Sequence, residues 1–496
     1  MKTLDLIVLV SYIALVVGVG CWFARRSKTS EGFMRAGGRL PGWVIGLSLF
    51  GTYLSSNTFI GVPGKAYAGN WNAFVFSLSI PIAILIAVRF FVPFYRRTGE
   101  ISAYQHLEKR FGVWARLYAV CCYLLTQVAR SATIMLGVSI GLQQVTEWNL
   151  ATIILVAGIL VTVYTLIGGI EAVIWTDAIQ SLVLSLGALL VAALLLFGHP
   201  DGVSGALAVA SQADKFSLGS WSLTDLATST VWVVLVYGLF INLTNFGIDQ
   251  NYIQRYHTAE DEKAARRSLW IGATLYVPVS LLFFFIGTLL FSYYHTRPEE
   301  VAAIQTMAGE RKFEDSILPH FMTHHLPPGV GGLILAALAA AAMSTIDTSL
   351  NSSATITLTD LWKRLVRGGR TLQEKETMRV LRAATIFWGV VGTSTALLLT
   401  GNAKNVLDIW WQLSGIFAGG MLGLFLLGLI VRRAGNAAAL TGVLLGVLTI
   451  FWLSSSWVPT QLKPALHSNL TIVVGTLTIF LVGLTASRVR AHHSPS

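Results

Sequence analysis

The chain has 496 residues, of which 54% are hydrophobic and 12% charged; a soluble globular domain carries about twice that charged fraction. Unbroken apolar runs of about 20 residues recur from end to end, the length that crosses a bilayer as a helix, and their continuity excludes a β-barrel. The net charge of +11 does not point to nucleic acid, because the basic residues sit in short loops between apolar runs, the pattern of membrane topology.

In chain order, the first apolar run, near 4–24, is followed rather than preceded by most of its charges. It reads as a retained helix with its N-terminus outside, not as a signal peptide. Further spans are expected near 41–68, 72–95, 114–144, 149–169, 172–197, 227–252, 268–293, 329–361, 380–400, 404–431, 437–456 and 468–488, thirteen in all. With that orientation the inward loops hold Arg25, Arg26, Lys28, Arg35 and Arg39, then Arg96, Arg97, Lys109 and Arg110. They continue with Arg255, Lys263, Arg266 and Arg267, with Lys363, Arg364, Arg367 and Arg370, and with Arg432 and Arg433. The long outward segments 198–226 and 294–328 carry few Lys or Arg, so the count and the charge bias agree. Cys21, Cys121 and Cys122 lie in apolar segments and read as packing residues, with no disulfide framework.

Two spans carry residues that break helices. The second reads SLFGTYLSSNTFIGVPGKAYAGN, with Gly51, Gly61, Pro63 and several hydroxyls in mid-span. The seventh reads FINLTNFGIDQNYIQRY, with Asn242, Thr244, Asn245, Gly247 and Asp249. Once the first span is set aside, these are the first and sixth of the remaining helices. Interrupted segments at matching positions of two five-helix halves point to an inverted repeat with its binding site near the bilayer midplane. This divides the chain into a flanking helix and loop (1–40), a first repeat (41–197), a second repeat with long outer loops (198–431) and two flanking helices with a tail (432–496). Neither a GxxxxGK[ST] phosphate loop nor a nucleophile–base set is present, which argues against ATP-driven transport and against an enzyme.

Three features inside the spans carry chemistry. Arg130 lies in mid-span, roughly 20 Å along its helix from Arg116 and too far for easy snorkelling. It calls for an anion, either an internal Asp or a substrate carboxylate. In the sixth span, Asp177 lies nearly two turns beyond Glu171 in an otherwise apolar helix, and an intramembrane carboxylate is a candidate functional group. The ninth span turns from AALAAAAM into STIDTSLN, where Ser344, Asp347 and Thr348 share one helical face with Thr345 beside them. Such an oxygen strip suits a hard alkali cation, although lone Ser and Thr residues also bond back to the preceding turn. PHFMTHH, with His320, His324 and His325, reads as solvated histidine in an outer loop rather than as a metal site.

GGIEAVIWTDAIQ (168–180), DQNYIQRY (249–256) and AAAAMSTIDTSLN (339–351) together resemble the sodium:solute symporter family. The resemblance implies an all-α, LeuT-like core of two inverted five-helix repeats with three flanking helices. It implies sodium ions as the coupling partner, a small-molecule substrate, a lipid bilayer as surroundings and a functional monomer. One sodium site would use the carbonyls of Gly51, Leu54 and Ala341 with the hydroxyls of Ser344 and Thr345. A second would use Asp177, Ser344 and Thr348, with Asp347 at a position where the sialic acid branch carries Ser. LSSNTFIGVPGKAY (54–67) and Arg130 are similar to bacterial sialic acid symporters, which implies that Ser55, Ser56, Thr58 and Arg130 hold a substrate carboxylate. Tyr53, Ala73 and Ser77 depart from that branch and reshape the rest of the pocket, which Phe246 completes. The activity implied is sodium-driven import of a carboxylated sugar through the bacterial cytoplasmic membrane; a neutral sugar, a monocarboxylate or a sodium-conducting channel are the competing readings.

Overall fold

The computed structural model describes residues 3–23, 28–146, 148–308, 313–400, 419–455 and 457–491. Among them the only β-pairing is an isolated bridge between Leu40 and Ala259, and the fold is helical throughout. The helices are α1 (Thr3–Phe23), α2 (Ser30–Arg35), α3 (Gly42–Tyr53), α4 (Ser56–Ala68), α5 (Asn72–Thr98), α6 (Gln105–Phe111) and α7 (Val113–Thr146). There follow α8 (Leu150–Phe197), α9 (Gly202–Gln212), α10 (Val231–Ile248), α11 (Gln250–Thr258), α12 (Glu262–His295), α13 (Pro298–Ala308) and α14 (Glu314–His324). The last are α15 (Val330–Ile356), α16 (Glu374–Leu399), α17 (Gly419–Ile430), α18 (Asn436–Ser454) and α19 (Leu470–Ala491).

Ten helices among the described residues are long and apolar enough to cross a membrane. The 48 residues of α8 would extend about 72 Å at 1.5 Å per residue, more than two bilayer cores. The helix is broken at Gly169, whose φ of 61° and ψ of −166° only glycine adopts without strain. It therefore supplies two spans, matching the boundary expected between 169 and 172. The span expected near 404–431 lies partly outside the described residues, which resume at α17.

Both expected breaks are present. α3 ends at Tyr53, Leu54 and Ser55 are extended, and α4 restarts at Ser56. A capping box makes the restart: the Ser55 side chain accepts a backbone N–H of the first turn, and Thr58 Oγ1 accepts the Ser55 N–H at 3.4 Å. α10 ends at Ile248, and Asp249 (φ −77°, ψ 120°) starts α11 by accepting the Asn251 N–H at 2.8 Å.

α15 is the axis of the molecule: of its residues only Val330 and Leu333 are not buried. Its most extensive neighbour is α8, and it also packs on α7, α1 and α16. The start of α15 is held by α1, where Asp5 Oδ1 accepts the N–H groups of Gly329 (2.7 Å) and Gly332 (2.9 Å). A carboxylate there satisfies orphan donors and faces the positive end of the helix. Outward faces such as Leu182, Leu186 and Leu189 of α8 are exposed and apolar, as lipid contact requires.

Around Arg116, α6, the start of α7 and the turn beyond α15 are tied by charge. Arg116 pairs with Asp360 (2.5 Å) and Glu108 (2.6 Å), and Arg364 pairs with Glu108 from the other side (2.6 Å). Arg116 is buried where two carboxylates converge on it.

Candidate transport site

The break in α3–α4 opens onto a cavity of ≈ 120 Å³ bounded by α5, α7, α10 and α12. Tyr53, Ser55, Thr58, Ala73, Ser77 and Arg130 all line it, together with Asp249 and Tyr276. Arg130 is buried, and its Nη1 lies 3.9 Å from Asp249 Oδ2, so the guanidinium has an internal carboxylate close by and still faces the cavity. Tyr53 OH donates to Asn242 Oδ1 at 2.8 Å, and the hydroxyls of Ser77 and Ser280 share a 2.7 Å hydrogen bond. Phe246 stands apart from the other expected substrate contacts. It is not among the lining residues, because its ring packs behind Tyr53 (5.7 Å between centroids) and against Tyr252 (5.5 Å). Ser56 opens α4, and its side chain lies outside the described residues.

Next to this cavity α3, α8 and α15 approach closely at Gly51. A Cβ there would lie 2.4 Å from Ser181 Oγ and 3.2 Å from Ser344 Oγ. Ser344 Oγ is fully buried, lies beside the Asp177 carboxylate and makes no hydrogen bond of acceptable geometry. A buried, unpaired hydroxyl is costly unless another ligand uses it. A sodium ion is such a ligand; Gly51, Leu54, Ala341, Ser344 and Thr345 are all buried, with Gly51 against Ser344. Thr345 Oγ1 meanwhile donates to the Ala341 carbonyl at 3.2 Å, the local bond that a cation would have to share or displace.

The second set behaves differently. Asp177 Oδ2 accepts from Ser48 Oγ at 2.6 Å and from Arg255 Nη2 at 2.8 Å, while Oδ1 has no partner. Arg255 Nη2 also reaches Thr348 Oγ1 (2.8 Å) and Thr52 Oγ1 (2.9 Å), and Nε reaches Ser48 Oγ (2.9 Å). Arg255, expected in an inward loop, is in fact wholly buried. α11 turns back into the protein after Asp249 and carries the guanidinium onto two of the residues expected to hold a second sodium, Asp177 and Thr348. One signal was available in the sequence: a buried Asp177 requires a cation, and DQNYIQRY supplies one inside a broken span. Asp347 has a different partner. Its Oδ2 accepts from Tyr164 OH at 2.6 Å, across from the first half of α8, and its Oδ1 is unpaired.

Two interrupted helices, a cavity at one break and a strip of buried oxygens on the helix facing it are the layout of an ion-coupled secondary transporter. The chain belongs to the sodium:solute symporter family, whose model matches residues 33–446. Sodium is accordingly its coupling ion. It is 35% identical over 490 residues to the sodium/sialic acid symporter NanT of Aliivibrio fischeri, covering 98% of this chain and 93% of that one. It is 36% identical over 448 residues to the sodium/sialic acid symporter SiaT of Proteus mirabilis, covering 89% and 88%. The mouse sodium-coupled monocarboxylate transporter 2 is more distant, at 27% identity with 91% and 72% covered. Among solved structures, a Na+-coupled sialic acid symporter in a substrate-bound outward-open state superposes with a TM-score of 0.89 at 31% identity, covering 98% of both chains. Mhp1, a nucleobase-cation-symport-1 family transporter, shares the fold at a TM-score of 0.56 and 16% identity, covering 93% and 95%.

Proposed function

We propose that the protein imports a small carboxylated sugar, sialic acid, with sodium, by alternating access across a bacterial cytoplasmic membrane. The observation that carries this reading is Arg130: a buried guanidinium facing a cavity whose other wall is the hydroxyl-bearing break of α3–α4. A planar fork of N–H donors opposite hydroxyls suits a carboxylate attached to a polyol. The names of the two bacterial relatives above support the same substrate. In this reading the chain works as a monomer with thirteen spans, the N-terminus outside, and repeats over 41–197 and 198–431. Sodium between α3 and α15 favours the outward-open form, substrate closes it, and both are released inward.

Two sodium ions per substrate suit a concentrating system. Each ion gains ~2.3 kcal/mol per 100 mV and ~1.4 kcal/mol per tenfold gradient. A monoanion gives back ~2.3 kcal/mol against the potential, leaving about 5 kcal/mol, roughly a several-thousand-fold accumulation. Gly51, Leu54, Ala341, Ser344 and Thr345 are the ligands of the first ion in this reading; Asp177, Ser344, Asp347 and Thr348 are those of the second. Asp249 beside Arg130 favours one second reading, a neutral sugar, because it offsets the charge of the arginine.

The test is uptake by proteoliposomes under an imposed sodium gradient, with sialic acid, glucose, galactose and short organic acids offered in parallel. Sodium-driven sialic acid uptake, abolished by Ser344→Ala, is the expected result. Uptake of the neutral sugars with none of the acid would overturn it.

A further inference from the structure

Outside the transport site, one cluster of ligating side chains is built from two helices and oriented by a third. Glu300 is on α13, His320 is on α14, and His325 caps the end of α14. One ligand atom from each lies within 4.8 Å of the others. All three are partly buried, against the expectation from sequence of solvated histidines.

The surroundings orient these rings. The last turn of α12 presents two adjacent tyrosines, and each holds one imidazole: Tyr293 OH lies 2.9 Å from His325 Nδ1, and Tyr294 OH lies 2.8 Å from His320 Nδ1. Both Nδ1 atoms are engaged by hydroxyls, and an outer partner of this kind fixes ring orientation at metal sites. His325 Nε2 is 2.7 Å from Glu300 Oε2, and the other Glu300 oxygen is 3.6 Å from Arg297 Nε. His324 is outside the set: its ring stacks on His320 at 4.1 Å and its Nδ1 lies 3.1 Å from the His320 carbonyl.

We propose that Glu300, His320 and His325 form a binding site for a divalent transition-metal ion of the zinc type, with water in the fourth position. Two imidazoles and one carboxylate match the borderline-soft preference of zinc and not that of calcium or magnesium, which take oxygen. Tetrahedral bonds of about 2.0–2.1 Å set ligand atoms about 3.3 Å apart. The observed separations, from 2.7 Å to at most 4.8 Å, bracket that value. An ion there joins α13 to α14, and α14 packs directly on α4, the half-helix that lines the transport cavity.

The experiment uses the full chain, purified without a histidine tag, titrated with Zn²⁺ alone by calorimetry and followed by thermal unfolding. One saturable ion per chain is expected, with a rise in Tm. His320→Ala, His325→Ala and Glu300→Gln each weaken binding by at least about tenfold, and Tyr294→Phe, which touches no ion, weakens it by roughly the same factor. His324→Ala binds as wild type does. Absence of saturable binding, or equal binding by wild type and the first three variants, overturns the proposal, as does loss of binding in His324→Ala. Glu300→Gln and Tyr294→Phe keep the test decisive if a histidine variant fails to fold.

Discussion

Arg255 Nη2 and Asp177 Oδ2 form a 2.8 Å ion pair with both side chains wholly buried. The same guanidinium takes the hydroxyls of Ser48, Thr52 and Thr348. It therefore holds two of the four groups proposed for a second sodium, Asp177 and Thr348, and a sodium ion bound there would compete with it for one carboxylate. Removing one partner of a buried pair costs about 3–5 kcal/mol, because the other charge is left uncompensated. Arg255→Gln is expected to unfold at lower temperature than wild type without sodium and to be stabilised more than wild type when sodium is added. Asp177→Asn/Arg255→Gln should recover much of the lost stability and show none of that extra sodium response. Thermal unfolding across a sodium series measures both; equal sodium responses in Arg255→Gln and wild type would show that the ion does not use these oxygens.

Arg130 gives a prediction about substrate charge. Truncating one side of a buried charge pair costs about 2–5 kcal/mol, so Arg130→Ala should lower the affinity for an acidic sugar by at least about thirtyfold. Asp249 lies 3.9 Å from the same guanidinium and competes with a substrate carboxylate. Asp249→Asn is therefore expected to tighten binding of the acid and leave a neutral analogue unaffected. Equilibrium binding of the acid and its amide to both variants checks this, and a common loss for acid and amide in Arg130→Ala would mark the arginine as structural.

The membrane helices and their breaks are legible in the sequence because each depends on neighbours along the chain: an apolar run of fixed length, or glycine, proline and hydroxyls crowded into one. The pairing of charges is not, because it depends on where α11 points after Asp249. Arg255 and Asp177 are 78 positions apart. Once that helix re-enters the protein, a cation that resembles a topology signal becomes the main partner of the buried carboxylate. Phe246 shows the same limit on a smaller scale: the resemblance implies a place in the pocket, yet its ring packs on Tyr53 and Tyr252 and is not among the residues lining the cavity. Glu300 and His325 are 25 positions apart and meet only because α13 and α14 fold back on the end of α12.

No cation side chain among the described residues reaches the buried Asp347 within ion-pair distance. Tyr164 OH supplies a 2.6 Å hydrogen bond to Oδ2, and Oδ1 has no partner. An unpaired buried acceptor costs about 1–3 kcal/mol, more for a charged group, unless an ion satisfies it. Asp347→Ser is therefore expected to alter the sodium dependence of uptake, in apparent affinity or in Hill coefficient, while Tyr164→Phe alters it less because Oδ1 survives. The sodium dependence of initial rates in proteoliposomes decides the matter. An unchanged curve for Asp347→Ser would make the carboxylate a packing residue.

Glu108 gives a prediction about pH. Partial burial pushes its carboxyl up, but hydrogen bonds from Arg116 and Arg364 outweigh that and hold it below the ordinary value of 4.5. A carboxyl lowered in the folded state adds stability that is complete above its unfolded value and is lost as pH falls through the folded one. Glu108 joins α6 to Arg116 of α7 and to Arg364 beyond α15, so protonating it loosens three helix ends together. Glu108→Gln should melt at lower temperature than wild type at pH 7, and the gap should narrow steadily as pH drops below about 4.5. Melting curves of both proteins from pH 7 down to 3 measure the gap; one that stays constant across that range would show that Glu108 contributes shape and not charge.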